Sequence, residues 1–195
     1  MIVVVDSGGA NLVSLLSWVS RLGVDACVST CSRKIKNASH VILPGVGSAG
    51  KIMERLCALR LKELLQSLTQ PVLGICVGMQ VLFECSEEGG TPCLGLMAGM
   101  IKKLPEKTGL ILPHMGWNTL QITEASGLMA GVQPNAYVYF VHSFFAPVSK
   151  YTRAVAYHGL PFSAAVQSSN FYGVQFHPER SGAAGLQILK NFIEL

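Results

Sequence analysis

Charge is what this chain has least of. Asp, Glu, Lys and Arg together make up 13% of its 195 residues, while half are hydrophobic. A disordered chain needs the opposite balance, so this composition calls for a packed core. Long apolar runs are missing as well. The opening Ile2-Val3-Val4-Val5 is too short to cross a bilayer or to form the heart of an export signal, and no other segment approaches the length of a span. The expected location is therefore the cytoplasm. Positive charge exceeds negative by only four. Its densest groups, Arg33-Lys34-Ile35-Lys36 and Lys102-Lys103, lack interleaved aromatics, which argues against a nucleic-acid groove. Six cysteines stand at 27, 31, 57, 76, 85 and 93, with no Cys-x-x-Cys pair and no histidine near Cys27 and Cys31 to complete a zinc clip. They are expected to be free thiols in a reducing compartment, and no metal is expected.

What is present is a rhythm. A buried-strand pattern at Ile2–Val5 is followed by leucines and valines at helical spacing from Leu12 to Leu22, with Gly23 as the stop. Strands are predicted near 25–28 and 41–43, then a helix capped by Ser48 and a second helical stretch over 61–68. A strand at Pro71-Val72-Leu73 leads to Cys76, and Met79 to Phe83 read as the start of another helix. This alternation predicts a parallel sheet with helices on both faces. Beyond it the texture changes. Residues 87–108 promise at most one or two short strands, and strands then dominate at 119–122, 137–141, 154–157, 164–167 and 172–176. A closing helix carries Leu186, Leu189, Phe192 and Ile193. One mixed α/β domain over 1–195 is the expectation.

Gly74-Ile75-Cys76-Val77-Gly78 concentrates the chemistry. A nucleophile between two glycines at a strand-to-helix junction is how an α/β enzyme builds a tight turn that exposes a reactive atom. A helix N-terminus also favours thiolate. Taken alone, a buried inert cysteine competes with this reading. A thiolate needs a base, and the base needs an orienter. His177 and Glu179 stand in Gln175-Phe176-His177-Pro178-Glu179, two apart in an extended segment that Pro178 keeps from coiling, so both point the same way. A surface turn is the alternative. Donors for an oxyanion are available from the backbone of Val77 and from the Pro44-Gly45-Val46-Gly47 loop, including Val46 and Gly47.

These segments resemble the class I (triad) glutamine amidotransferases. Pro113-His114-Met115-Gly116-Trp117-Asn118, Tyr139-Phe140-Val141-His142-Ser143 and the run from Gly173 to Gly182 resemble one branch of that family, the glutaminase subunits of imidazole glycerol phosphate synthase. The resemblance implies a flavodoxin-like fold with added antiparallel strands in the C-terminal half. It implies a Cys76–His177–Glu179 triad that hydrolyses glutamine through a γ-glutamyl thioester, without a cofactor. Glutamine contacts are implied at Gly47, Gln80, Glu88, Ser143 and Phe144. The implied partner is a (β/α)₈ cyclase that receives the ammonia for histidine biosynthesis, docked on Asn11, Trp117, Asn118, Tyr139 and Arg180. A flexible Pro44–Gly47 loop could complete the oxyanion hole once that partner binds. Many members carry Asp-Tyr-Gly near the start, where this chain has Asp6-Ser7-Gly8. An amidotransferase of another pathway, a cysteine hydrolase of the same architecture and a non-catalytic binding module are the competing readings.

Overall fold

A computed structural model describes residues 1–8, 12–106 and 109–195. Four strands form the parallel part of the main sheet: β1 (Ile2–Val5), β2 (Ala26–Ser29), β3 (His40–Gly45) and β4 (Val72–Cys76), in the order β2-β1-β3-β4. Every residue of β1 and β4 is buried, which is why both read as unbroken apolar runs. Between them lie α1 (Leu12–Arg21), α2 (Ser32–Lys36), α3 (Ala49–Ala58) and α4 (Lys62–Gln66). Gly23 is left-handed at φ 75° after α1, and the Ser48 hydroxyl accepts the Lys51 N–H at the start of α3. Arg60, at φ 54°, makes the bend between α3 and α4. The single turn α2 was not legible as a helix: only Ile35 is buried, and the basic residues that crowd it face outward.

Two expectations fail beyond Cys76, for one reason. The helix α5 (Val77–Gln80) lasts a single turn, and Phe83–Ser86 is a strand. The carbonyls of Val81 and Leu82, which would extend the helix, accept instead from Leu94, Leu96 and Met97. Those distant partners bring in a seven-residue strand, Met97–Lys103, where only short strands were predicted. It pairs with Phe83–Ser86 and with Phe144–Phe145. Non-local pairing has overridden the local helical pattern.

The main sheet continues from β4 through Phe171–Val174, Pro161–Ser168, Thr152–Tyr157 and Gln121–Ile122. Phe171–Val174 is parallel to β4 and antiparallel to Pro161–Ser168. A hairpin turns through Ser168-Ser169-Asn170, with Ser169 at φ 51°. A separate antiparallel ribbon pairs His114–Thr119 with Tyr137–His142. The predicted strand at 119–122 is thus split between this ribbon and the main sheet. The final helix α6 (Gly182–Ile193) buries Gly185, Ile188, Leu189 and Phe192, while Leu186 is only half-buried. Gly185 has no alternative: a Cβ there would overlap the Pro178 carbonyl. The result is an α/β fold with a mostly parallel sheet, as expected, and antiparallel additions in its second half.

Candidate active site

The turn at Cys76 is built by backbones that touch. A Cβ on Gly78 would overlap the Leu43 carbonyl, and one on Gly74 would lie 2.5 Å from the Gly78 oxygen. Gly45 closes the set, since its Cβ would fall 2.5 Å from the Gly78 nitrogen. These three glycines let β3, β4 and α5 interlock. The strain is carried by Cys76 itself, at φ 56° and ψ −114°, a region that costs an L-residue on the order of 1–3 kcal/mol. Its position as the residue before α5 puts the sulfur at a helix N-terminus, and the Val77 N–H is the first amide of that helix without an intrahelical acceptor.

Across a cavity of ≈ 290 Å³ stands His177. Its Nδ1 lies 2.9 Å from Glu179 Oε1, and its Nε2, buried, has no hydrogen-bond partner within the usual distance. Burial alone would lower the His177 pKa, but the neighbouring Cys76 sulfur and the hydrogen-bonded Glu179 carboxylate outweigh it and raise the value to about 10. At neutral pH the imidazole is therefore protonated beside the sulfur. The Pro178 segment supports this geometry. The Ser181 hydroxyl donates to the His177 carbonyl at 2.6 Å and accepts the Tyr139 N–H at 3.0 Å, while the His177 N–H donates to the Tyr139 carbonyl at 2.9 Å.

The same cavity is lined by Val46, Gly47, Val77, Gln80, Glu88, Ser143 and Phe144, so it brings Cys76 and His177 together with every predicted oxyanion and substrate residue, Glu179 joining through His177. The structure adds detail at Gln80, at Glu88 and in the loop. Gln80 spends its amide nitrogen on the Phe144 carbonyl (2.9 Å) and Gln175 Oε1 (3.0 Å), so only its oxygen is left for a ligand. Glu88 is not a solvated turn residue: its carboxylate accepts the Ala49 N–H at 2.7 Å, at the start of α3, and faces the cavity. Gly45 belongs to β3 rather than to a mobile loop, leaving Val46 and Gly47 (φ 88°) as the part between strand and helix.

Of the predicted docking residues, Trp117 is 57% exposed and meets the Tyr139 ring edge-on at 5.9 Å, while the Arg180 guanidinium lies 4.0 Å from the Tyr139 ring centroid. Asn118 alternates to the other face of its strand, where its side-chain nitrogen donates to the Tyr157 carbonyl and to His114. Asn11 lies outside the described residues. A second cavity of ≈ 170 Å³ lies beside the first, sharing Val46, Val141 and His177 and reaching Leu15, Glu179 and Arg180.

Sequence reasoning missed a row of histidines behind the cavity. His142 Nδ1 donates to the Phe144 carbonyl (2.9 Å), so its Nε2 must accept from His114 Nδ1 (2.9 Å), and His114 Nε2 then accepts from Asn118 (3.2 Å). Burial, with repulsion from neighbouring imidazoles, lowers His142 to about 3 and His114 to about 4. Both stay neutral, as the row requires. The signal available in sequence was two histidines, 114 and 142, each in a strand-like segment. Among the described residues no cluster of His, Cys, Asp or Glu could hold a metal, and no helix is long and apolar enough to cross a membrane.

A cysteine on a strained turn, a protonated histidine held by a glutamate, and a cavity with backbone donors define a triad amidohydrolase of the glutamine amidotransferase type. The family model for class I glutamine amidotransferases matches residues 3–195, and the chain belongs to that family. Within it, the chain belongs with the proteins named imidazole glycerol phosphate synthase subunit HisH. It is 47% identical to the one from Vibrio cholerae, with 100% of this chain and 98% of that protein covered. It is 48% identical to the one from Xanthomonas campestris, with 98% and 96% covered. The fold is also that of a crystallised glutamine amidotransferase (TM-score 0.76, 16% identity, 99% of this chain and 97% of that one). The glutaminase domain of Trypanosoma brucei CTPS is similar too (TM-score 0.68, 16% identity, 99% and 93% covered).

Proposed function

We propose that this chain is the glutaminase subunit of imidazole glycerol phosphate synthase, acting in the cytoplasm as one domain over residues 1–195. The observation that carries the reading is the cavity that gathers Cys76, His177 and Glu88, with Glu179 bonded to His177 beside it. In the reaction, the Cys76 sulfur attacks the side-chain amide carbon of glutamine. The oxyanion that forms is met by the Val77 N–H and by the Val46–Gly47 segment. His177, protonated at neutral pH, gives its proton to the departing ammonia, leaving a γ-glutamyl thioester. The neutral imidazole then takes a proton from water, which attacks the thioester and releases glutamate. Glu179 holds the ring through Nδ1 in both steps. Glu88 faces the α-ammonium, Gln80 offers its amide oxygen, and the Ser143–Phe144 backbone completes the substrate wall.

Ammonia passes to a (β/α)₈ cyclase subunit docked over Trp117, Tyr139 and Arg180. The adjoining cavity between His177 and Arg180 supports exit on that side. The exposed Trp117 and the Arg180–Tyr139 stack have the character of interface anchors. The test is a glutaminase assay of the chain alone and with the cyclase and its ribonucleotide ligand. Strong ligand-dependent stimulation is expected, and full activity without the partner would sink the regulated-subunit reading. Cys76→Ala is expected to abolish turnover and leave docking intact.

A further inference from the structure

We propose that Gln175 is a catalytic residue of this site: its side-chain amide donates to the Cys76 sulfur and stabilises the nucleophile once its proton has left. The inference rests on the reading of Cys76 as the nucleophile. Gln175 is fully buried, and its Nε2 lies 3.8 Å from the sulfur. Which end of the amide faces sulfur follows from a chain of constraints. The Phe144 carbonyl can only accept, so the Gln80 atom 2.9 Å from it is nitrogen. That nitrogen also lies 3.0 Å from Gln175, so the Gln175 atom there is oxygen. The nitrogen of Gln175 is left on the sulfur. His142 Nδ1 donates to the same Phe144 carbonyl and fixes the anchor from behind.

The sulfur has a second neighbour of opposite character. The Val141 carbonyl, 3.7 Å away, is an acceptor and suits the S–H form. In the thiolate form, with the proton on His177, that contact is repulsive and the Gln175 donor is the favourable one. No other bond forms or breaks, and Gln175 gives up no proton. Gln175 precedes His177 by two residues, so one short segment brings both to the nucleophile. A buried carboxamide here is otherwise costly, and an apolar side chain would fill the volume without asking for partners.

The test uses the full chain with Gln175→Met, which keeps volume and removes the donor, and Gln175→Glu. Alkylation of Cys76 by iodoacetamide is followed from pH 5 to 10 by mass spectrometry of the Cys76 peptide. The other titratable groups facing the site are His177 and Glu179, His142, and Glu88, and they are unchanged in both variants. The pH of half-maximal alkylation is expected to move up by about one unit, the size of a hydrogen bond to a charged group. With the cyclase bound, kcat is expected to fall about tenfold for that same loss, with little change in KM. An unmoved alkylation profile would overturn the proposal. If neither variant folds, the native chain decides: the Gln175 side-chain NH₂ resonance must shift as Cys76 loses its proton or is alkylated, and a stationary resonance overturns it. A chain that shows the Gln175-dependent alkylation profile yet does not hydrolyse glutamine would instead sink the glutaminase reading and leave this inference standing.

Discussion

Two glycine-rich stretches lie side by side at the cavity, at the ends of the paired strands β3 and β4, and they use glycine for opposite purposes. In the Cys76 turn, Gly74 and Gly78 are there because backbone lies where a side chain would be. At Gly47, nothing stands within 4 Å of a would-be Cβ, but the backbone is left-handed at φ 88°. The first use is a matter of packing and makes the nucleophile immovable. The second is a matter of torsion, with open space around the residue. The nucleophile and the Val77 N–H thus sit in a turn held by packing, while Val46 and Gly47 sit where only a torsion holds the backbone.

The strongest way to break that contrast is Gly78→Ala. Its methyl would overlap the Leu43 carbonyl, a backbone atom that cannot step aside, so a loss of about 4 kcal/mol or more is expected. Chemical denaturation measures it, and a normal midpoint would mean that the turn is not rigid. Glu179→Gln tests the other half of the fixed side. It keeps the shape but removes the charge that helps hold His177 protonated, and kcat should fall on the order of 10²-fold with glutamine affinity little changed.

The histidine row behind the cavity gives a pH signature. His114 and His142 are held neutral in the fold, at about 4 and about 3, but in the unfolded chain they bind protons below the ordinary value near 6.5. The unfolded state thus takes up more protons between pH 6.5 and about 4, and stability should fall across that window as pH drops, by about 1 kcal/mol per unit or more. His177 has the opposite sign: its contribution is complete below pH 6.5 and is lost as pH rises through about 10. Urea midpoints at pH 5 and pH 7, for the chain and for His114→Phe, check the acid limb, which the substitution should flatten. The smallest effect belongs to Gly47→Ala. The strain at φ 88° costs roughly 1 kcal/mol, so folding should survive. The stimulation ratio given by the cyclase and its ligand should shift several-fold, and an unaltered ratio would deny the loop its role.

Much of the site was legible because its signals are local. Cys76 between glycines, and His177 two residues before Glu179, declare themselves within a few positions. Gln175 stood in the same quoted segment yet carried no signal, because its role depends on Gln80 and on a carbonyl at Phe144, both remote in sequence. The histidine row was hidden for the same reason: His114 and His142 become neighbours only through the register that pairs His114–Thr119 with Tyr137–His142. In the fold, β1, β4 and their helices followed from hydrophobic period alone. The strand Met97–Lys103 did not, because Met97 and Ile101 are its only buried residues. The helix expected through Phe83 was a correct local reading defeated by partners more than ten residues away.

The strand Phe171–Val174 joins the parallel and antiparallel parts of the main sheet, and it is the last strand of the chain to be made. Until it leaves the ribosome, β4 and Pro161–Ser168 each present an open edge in the middle of the molecule, the kind of edge that invites pairing with other chains. The nucleophile emerges about a hundred residues before its base, Cys76 before His177, and the two meet only when this strand slots in. One step therefore closes the sheet and arms the enzyme together, and a cell that overproduces the chain should find aggregation, rather than premature chemistry, to be its first difficulty.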